Sequence, residues 1–370
     1  MINITIPRQS EHAIVALGAD LKCRPAAAVS GTATIFDEIG DLAFPENQEA
    51  LEKFLDCQAP KLLLCDRHPG YFSTELAHRF AVEQGVPVKD VQHHSAHVAS
   101  VCVEHGLYEE TVVGLAFDGT GYGDDGTAWG GEFLVGSVKS GFERKAHFAP
   151  LPIPGGDAAV RQPWRIALAL LIERESDPLI IEDWIARRRV PVRNLPLFQK
   201  ALESGLAVGR STALGRWFDA VSALLGVRLI ADFEAQPAIE LQKLAEKNIS
   251  ESPKHDWPLE VRPGDPIIID FPDIVRIATQ EEKNIPRLAV AFHFAVAEAV
   301  AQVARHLAEA AVTGMVIASG GCFLNALLGR LLSERLSDMG LAYITPKNLP
   351  PGDQAISLGQ IGLVLSSLQG

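Results

Sequence analysis

The sequence contains few cysteines, and no pair of them has the spacing of a zinc ribbon. There are five, Cys23, Cys57, Cys65, Cys102 and Cys322, an odd number with no CxxC pair among 370 residues. Small domains that depend on disulfides carry a denser, even-numbered set. We therefore exclude a disulfide scaffold and a cysteine-rich zinc ribbon, and we expect free thiols that are buried or partly buried.

Positive charge and long apolar runs are also scarce. The 33 lysines and arginines face 46 acidic residues, which gives a net charge of −13 and argues against a general nucleic-acid or anionic-membrane binder. No stretch reaches about 18 uninterrupted apolar residues, and the first residues lack the layout of a signal peptide. We expect a cytoplasmic protein without a membrane or nucleic-acid partner.

The sequence does show the alternation of strand and helix patterns that is typical of an α/β protein. Short apolar runs such as "PKLLLCD" and "MVIAS" predict buried strands. The segment "STELAHRFAVEQG" predicts a helix with Ser73 as its N-cap and Gly85 as its stop. Strands that alternate with helices predict parallel or mixed sheets covered on both faces.

Two α/β regions flank a more helical middle, and this arrangement predicts two lobes with a ligand-binding cleft between them. We expect lobe I at 1–110, completed by a C-terminal helix at 353–368. Lobe II is expected at 111–352, with a helical insertion at about 160–285. The proline-rich stretch at 251–266 is interpreted as a surface excursion or a hairpin.

The segment "VQHHSAHVAS" at 91–100 places three histidines within five positions. His93 and His97 are four residues apart, so on a helix they lie on one face, one turn apart. This pattern is found in metal sites and also on solvated helix faces. With the carboxylates of Asp118 and Asp353, the two histidines would form a nitrogen and oxygen set that suits Fe(II), Zn or Mn. Asp353 precedes an apolar helix, so a plain N-cap is its alternative role.

Two glycine-rich segments follow predicted strands and are candidates for nucleotide binding. In "FDGTGYGDDGTAWGGEF", the turn Gly119–Thr120–Gly121 would let backbone amides approach a phosphate, and Asp118 would bind the accompanying cation. In "IASGGCFLN", Gly320 and Gly321 would present amides to an anion at a helix N-terminus. Asn325 could then bond a base or a ribose. Ordinary glycine turns are the alternative for each segment, but two such junctions in separate α/β regions favour a nucleotide cleft.

Four other polar residues are weaker candidates. Arg161, in "GGDAAVRQPWR", could bind a carboxylate or a phosphate. Asp219 interrupts the apolar face of "GRWFDAVSALLG", and a buried carboxylate there needs a partner, which a ribose hydroxyl could supply. His94 is interpreted as a surface residue or as a residue behind the metal ligands, and His68 as a loop residue.

Five segments together resemble the C-terminal half of the HypF carbamoyltransferase family. In chain order they are "HHSAH", "AFDGTGYGDDGTAWGGEF", "LPIPGGDAAVRQPWR", "GRWFDAVSALLGV" and "SGGCFLN" with "GDQAISLGQ". The resemblance covers about Ile14 to Leu365. It implies the two-lobed fold of actin, Hsp70 and sugar kinases, with mixed sheets flanked by helices, which the family shares with the TsaD enzymes of tRNA modification.

The resemblance also implies site residues and cofactors. By it, His93, His97 and Asp353 bind a transition metal, Fe(II) or Zn(II), with Asp118 as the fourth ligand, and Mg is a further candidate cation. The positions that it assigns to the nucleotide are the DGTG turn, Asp219, Glu240 and Asn325. Combined with the residue-based candidates, this makes Asp118 and Arg161 the expected catalytic residues.

The reaction is likewise implied by the resemblance. Carbamoyl phosphate and ATP give carbamoyl-adenylate, and the carbamoyl group passes to the C-terminal cysteine of HypE, where dehydration yields the cyanide ligand of nickel–iron hydrogenase. Full-length HypF also carries an acylphosphatase domain, zinc fingers and a YrdC-like adenylating domain, none of which lies within these 370 residues. We therefore expect a YrdC-like partner. Ala235 and Cys322 stand where the family more often has Gly and Val, which could alter nucleotide fit.

Two other functions are compatible with the same fold. One is carbamoyl transfer to a tRNA base or to a small hydroxyl compound, and the acidic charge counts against tRNA. The other is a non-enzymatic module that binds nucleotide or HypE and regulates. Intact candidate ligands at all four metal positions favour an enzyme over this regulatory role.

Overall fold

The computed structural model contains two β-sheets with helices packed around them, as the alternating sequence pattern predicted. It describes residues 1–7, 13–174, 177–205, 208–249, 257–280 and 282–367. The strands are β1 (Ile2–Thr5), β2 (Ile14–Ala16), β3 (Ala26–Val29), β4 (Thr32–Ile35), β5 (Leu62–Asp66), β6 (Val88–Val91), β7 (Val112–Tyr122), β8 (Ala128–Ser137), β9 (Gly141–Phe148), β10 (Leu151–Pro154), β11 (Val208–Ser211), β12 (Glu260–Arg262), β13 (Ile267–Asp270), β14 (Met315–Ser319) and β15 (Ala342–Ile344).

The helices cover both sheets and fill the middle of the chain. They are α1 (Pro45–Asp56), α2 (Phe72–Gln84), α3 (His93–His105), α4 (Asp157–Arg161), α5 (Trp164–Arg174), α6 (Pro178–Arg188), α7 (Leu195–Glu203), α8 (Leu214–Leu225), α9 (Gln236–Asn248), α10 (Ile274–Ala278), α11 (Ile285–Ala310), α12 (Ala326–Asp338) and α13 (Ile356–Ser367). Short 3₁₀ helices occupy Glu282–Asn284, Gly321–Leu324 and Asp353–Ala355.

The first sheet has six strands in the order β1-β4-β3-β2-β5-β6. Strands β2, β5 and β6 are parallel, and the others pair antiparallel. The second sheet has nine strands, with the path β12-β13-β9-β8-β7-β14-β15 and the β10–β11 pair attached to β8. In it, β14 is parallel to both β7 and β15. Because β14 runs parallel to β7, Ser319 at the end of β14 lies beside Ala116 of β7, two residues before Asp118. Asp66 ends β5 in the first sheet.

Helix α3 is buried on nearly all sides. Val98 and Val101 pack in a cluster with β7, β8 and β14, whereas Ala96 and Val103 pack in another with α13 and strands of the first sheet. A helix with two apolar faces is expected where both are covered. Through these contacts, α3 is held between the second sheet and α13.

The predicted helix at "STELAHRFAVEQG" forms, but its N-cap differs from the expected one. Helix α2 spans Phe72–Gln84, and the C-cap residue Gly85 has a φ of 68°, the left-handed conformation expected for a glycine stop. Ser73 lies inside the helix, and the prediction that it is the N-cap was wrong. The carboxylate of Asp20 accepts from the backbone N–H groups of Phe72 and Ser73 instead, because a distant loop folds over this helix end.

Residues 119–121 do not form the predicted turn. Strand β7 continues through them to Tyr122, with an irregularity in its pairing to β8 between Phe117 and Gly121. The chain reverses later, where the N–H of Gly123 donates to the carbonyl of Thr127 over 2.9 Å. A bulge accommodates the extra residues and lets the paired strand resume beyond it.

Three further sequence expectations have simple outcomes. The proline-rich stretch contains β12, which pairs antiparallel with β13 just after the stretch, and residues 251–256 lie outside the described residues. The helical segment expected at 353–368 is a 3₁₀ turn followed by α13, and residue 368 lies outside the described residues. Of the five thiols, Cys57 is exposed and the other four are buried or partly buried.

Helix α11 is the element, among the described residues, that is long and apolar enough to cross a membrane. Of its most apolar 18-residue window, 78% is buried inside the protein. Its side chains belong to the largest apolar cluster, together with residues of α5, α8 and α12. This degree of burial is that of a core helix.

Candidate metal and nucleotide site

Four side chains from three different parts of the chain meet beside the first turns of α3. They are His93 and His97 of α3, Asp118 of β7 and Asp353 of the last 3₁₀ helix, and one ligand atom from each lies within 4.8 Å of the others. His97 Nε2 is 3.1 Å from Asp118 Oδ2 and 3.6 Å from Asp353 Oδ1. Both imidazoles are at most 1% exposed, so the cluster is sheltered from solvent.

Local structure explains why the two histidines face the same way. Gln92 caps α3 by accepting from the N–H of Ser95 over 2.8 Å, so the helix begins at His93. Four residues of helix then place His97 one turn beyond His93 on the same face. The alternative interpretation, a solvated helix face, was wrong, because this face is covered by β7 and by Asp353.

Asp353 does not act as an N-cap. The 3₁₀ helix that begins at this residue has Gly352 as its N-cap, with no side-chain capping bond. The side chain of Asp353 is directed to His97 instead, at 3.6 Å. Of the two roles considered for Asp353, the geometry favours the one within the cluster.

Asp66 lies behind His93 and was missed by the sequence analysis. Its Oδ2 is 2.7 Å from His93 Nδ1, and its Oδ1 accepts from the N–H of His68. A carboxylate on the far nitrogen of a histidine fixes the ring orientation and raises ligand basicity. The available signal was the aspartate that ends the buried strand "PKLLLCD".

With Nδ1 occupied, His93 Nε2 has no hydrogen-bond partner among the described residues. Its distance of 3.6 Å to Asp118 Oδ2 is too long for a hydrogen bond. Buried polar atoms of native proteins are nearly always paired. An unpaired imidazole nitrogen beside two carboxylates therefore fits a site built for a cation.

Electrostatics of the cluster are consistent with cation binding. Burial opposes protonation of His93, but Asp66, Asp118 and Asp353 raise its pKa well above the usual value. Burial would raise the pKa of Asp118, yet the adjacent imidazoles of His93 and His97 hold it well below its ordinary range. Carboxylates that attract positive charge so strongly supply the field that a divalent cation needs. Two imidazoles and two carboxylates suit Fe(II), Zn(II) or Mn(II).

A second group of polar side chains lies next to Asp118. Arg216 Nε donates to the carbonyl of Gly119 over 2.9 Å, and Arg216 Nη1 is 2.6 Å from Asp219 Oδ2. The predicted need of Asp219 for a partner is thus met in part by Arg216, which the sequence analysis did not single out. Asp219 Oδ1 remains buried without a partner among the described residues, and burial raises the pKa of this carboxyl although Arg216 opposes the shift.

Two of the candidate glycines, Gly121 and Gly320, are required by close packing. A Cβ on Gly121 would lie 2.6 Å from a ring carbon of His94, and one on Gly320 would lie 2.2 Å from the carbonyl oxygen of Phe117. Gly320 also has a φ of 106°, a conformation that side chains disfavour. Its N–H donates to Pro351, and that of Gly119 donates to Asp118. These two amides are therefore paired within the chain.

The other predicted residues occupy more varied positions. Asn325 caps α12 through the N–H of Leu328, and its amide nitrogen is 3.2 Å from His293 Nε2. Glu240 Oε1 accepts from Arg228 and Gln236. Neither these two residues nor Arg161, exposed at the end of α4, bonds to the four-residue cluster within the described part of the chain.

His94 is fully buried, so the interpretation of it as a surface residue was wrong. Its ring lies beside Trp129, with ring centroids 5.8 Å apart, and Nδ1 is 3.3 Å from Gln92 Nε2. The hairpin β7–β8 folds over this part of α3, which is why a polar residue in the first helical turn is enclosed.

Comparisons with known proteins identify relatives over almost the whole chain. A family model described as "HypF Kae1-like domain" matches residues 9–104, and one described as "Carbamoyltransferase, Kae1-like Domain, second subdomain" matches residues 114–360. Carbamoyltransferase HypF2 of Cupriavidus necator is 36% identical over 96% of this chain. A carbamoyltransferase HypF homolog of the same organism is 37% identical over 96% of this chain and 92% of its own length.

Solved structures of HypF also match the chain over its whole length. A full-length HypF, described as phosphate- and nucleotide-bound, superposes with a TM-score of 0.88 and 30% identity over the entire chain. HypF of T. kodakarensis superposes with a TM-score of 0.87 and 29% identity. The chain spans about half the length of these larger relatives, 47% of HypF2 and 48% of the full-length HypF structure.

Proposed function

The chain belongs to the HypF carbamoyltransferase family, and on that premise we propose that it transfers a carbamoyl group from carbamoyl-adenylate to the C-terminal cysteine of HypE. The transfer serves cyanide-ligand synthesis in hydrogenase maturation. His93, His97, Asp118 and Asp353 would hold the metal ion, and the polar group around Arg216 and Asp219 would hold the adenylate.

One observation carries the metal part of this proposal. The four ligand atoms, contributed by elements distant in sequence, lie within 4.8 Å of one another, and buried His93 Nε2 has no partner among the described residues. Folding brings buried charges together at a cost that hydrogen bonds or a bound ion must offset. The ion, when bound, neutralises phosphate charge.

The nucleotide part is supported by the polar group beside Asp118. Arg216 joins the carbonyl of Gly119 to Asp219, and Asp219 Oδ1 is left as a buried acceptor. Such an acceptor suits a ribose hydroxyl, and the guanidinium of Arg216 suits a phosphate. A solved HypF structure described as nucleotide-bound supports nucleotide binding in this family. We include Glu240, Gly320, Gly321 and Asn325 in the proposed nucleotide site.

The proposed reaction is an acyl-type substitution on the carbamoyl carbon. The thiolate sulfur of the HypE cysteine attacks this carbon, and the bond from the carbon to the phosphate oxygen of the adenylate breaks. AMP leaves with the bonding electrons, and the thiol proton goes to solvent or a nearby base. The products are the S-carbamoyl cysteine and AMP.

The residues of the chain contribute orientation and charge. Asp66 holds the ring of His93, and Ser319 Oγ lies 3.3 Å from His97 Nδ1, so both imidazoles are fixed before the substrate arrives. Arg216 places positive charge beside the site. Preorganised charge and fixed orientation each lower barriers by several kcal/mol. Arg161, as an exposed cation on α4, is retained as a candidate contact for substrate.

We propose that the adenylate is made by a YrdC-like domain outside these 370 residues. The chain spans only 47–48% of the length of its larger HypF relatives, which leaves room in them for a further domain. Because adenylate formation and carbamoyl transfer are distinct reactions, they can be assayed separately.

The test is mass spectrometry of HypE incubated with the protein. Preformed carbamoyl-adenylate should yield the carbamoyl adduct on the C-terminal cysteine, whereas carbamoyl phosphate and ATP alone should not. His97→Ala should lower transfer by more than about 100-fold, because both a ligand and its orientation are lost. His105→Ala, in the last turn of the same helix, is the matched control and should leave transfer unchanged.

Two results would oppose the proposal. Absence of the adduct with preformed adenylate and a metal-loaded protein would favour a regulatory module over an enzyme. Efficient modification from carbamoyl phosphate and ATP would show that adenylate formation also resides in this chain.

A further inference from the structure

A second cluster of ligand-type side chains lies on the edge of the first sheet, outside the site described above. It consists of Cys65 of β5, His78 of α2 and Asp90 of the edge strand β6, and one ligand atom from each lies within 4.8 Å of the others. Cys65 Sγ is 3.1 Å from Asp90 Oδ1, and His78 Nε2 is 2.8 Å from the same oxygen. Three residue types that bind transition metals therefore converge on one point.

This cluster and the first site lie on opposite faces of β5. Successive side chains of a strand point to opposite faces. Cys65 accordingly packs in an apolar cluster with Leu76 and Ala77 of α2, whereas Asp66 bonds His93 on the other face. No ligand is shared, so the two sites can be assayed independently.

We propose that Cys65, His78 and Asp90 bind a zinc ion. A thiolate, an imidazole and a carboxylate with a water molecule in the fourth position form a tetrahedral set that zinc commonly adopts. A thiolate also distinguishes this site from the first, whose nitrogen and oxygen ligands suit harder ions as well.

The geometry is close to what zinc requires. Ligand distances of about 2.0–2.3 Å imply separations of roughly 3.3–3.5 Å between ligand atoms, slightly more than the 2.8 and 3.1 Å present here. His78 and Asp90 have side chains 47% and 44% exposed, so they can move outward by that amount. Because these two side chains are exposed, a zinc ion can reach the site from solvent, and a water molecule can occupy the fourth ligand position.

Zinc binding displaces one proton, which comes from the thiol of Cys65. Without metal this thiol is neutral, because burial and, as the smaller cause, its hydrogen bond to Asp90 raise its pKa. The zinc–sulfur bond replaces the sulfur–hydrogen bond, and the proton goes to solvent. The bound ion would join α2 to β5 and β6, and so steady the strand that carries Asp66.

Cobalt(II) titration of the full chain tests the site, because cobalt bound to a thiolate gains a sulfur-to-metal charge-transfer absorption. We expect this band to reach the intensity of one thiolate-bound cobalt ion per chain and to disappear when zinc is added. The first site contains no thiol and gives no such band. The readout is therefore independent of carbamoyl transfer.

His78→Gln is the main variant, because the residue is half exposed and its loss should leave the fold intact. It should lower cobalt affinity by more than the roughly 10- to 100-fold typical of losing an outer-shell partner, and Asp90→Asn should act in the same direction. Cys57→Ser removes an exposed thiol elsewhere and should leave the band unchanged. A missing band, or a band with full affinity in His78→Gln, would overturn the proposal.

Discussion

Asp66 controls how His93 faces the candidate metal cluster. Its two oxygens are both used, one on His93 Nδ1 and one on the N–H of His68, and the residue is fully buried. The imidazole of His93 is therefore held through Nδ1, and its Nε2 faces Asp118, 3.6 Å from Oδ2. A ligand whose orientation is fixed in advance loses less entropy on binding.

Asp66→Asn should weaken metal binding while preserving the fold. The amide retains the size of the carboxylate but lacks its charge, so His93 becomes a poorer ligand, and affinity should fall about 10- to 100-fold. Calorimetric zinc titration in a His78→Gln background measures the first site alone. Asp124→Asn, an exposed carboxylate paired with Arg67, is the control. Equal affinity in Asp66→Asn and the control would mean that the Asp66–His93 bond does not position the ligand.

At the scale of elements, the crossing of α3 and α13 brings the C-terminal ligand to the histidines. A Cβ on Gly359 would lie 1.9 Å from the carbonyl oxygen of Ala96, so the two helices touch through backbone at this point. Gly359 follows Asp353 by six residues, and Ala96 precedes His97. Close approach of these helices therefore sets the distance between Asp353 and His97.

Gly359→Ala should destabilise the protein and weaken the first metal site together. An added methyl group has no space unless the helices separate, and overpacking of this kind costs about 1–3 kcal/mol. Urea unfolding should give a lower midpoint with an unchanged slope. Gly314→Ala, where a Cβ would meet nothing within 4 Å, should be close to neutral. Similar stability of the two variants would show that the crossing tolerates a wider spacing.

For the molecule as a whole, His293 of α11 is a fully buried titratable group that packs against Phe218 and Phe292 of the largest apolar cluster. Its Nδ1 bonds the carbonyl of Ala289 over 2.8 Å, and its Nε2 is 3.2 Å from Asn325 Nδ2. Nδ1 is thus the donor, and Nε2 accepts, which is the neutral imidazole. Burial lowers the pKa of His293 to about 4 from the usual 6.5.

This shift predicts a pH dependence of the free energy of unfolding. Between pH 6.5 and 4 the unfolded chain binds a proton at His293 and the folded chain does not, so stability falls as pH falls through this window. The loss is on the order of 3 kcal/mol. His293→Gln, which can keep both hydrogen bonds, should lose less stability from pH 6.5 to 4 when followed by urea unfolding. His306→Gln, exposed on the same helix, should behave as wild type, and identical pH profiles in all three proteins would contradict the prediction.

Local signals in the sequence determined the features that depend on neighbouring residues. The i, i+4 spacing of His93 and His97 fixes a shared helix face wherever the helix forms, and a glycine such as Gly85 ends a helix through its own conformation. Alternating strand and helix patterns likewise predicted two covered sheets. Residue chemistry offered Asp118 and Asp353 as carboxylate partners of the histidine pair, and the resemblance to HypF implied the same four ligands.

Only the tertiary structure decided the features that depend on contacts between distant segments. Asp66, Arg216 and the Asp20 cap are ordinary polar residues in the sequence, and their roles follow from sheet order and helix crossings. The continuation of β7 through Gly121 depends in the same way on pairing with Trp129 and on space next to His94. Short-range periodicity records which way a side chain points along its own element. The partner that it meets is set by packing of the whole chain, which no local pattern encodes.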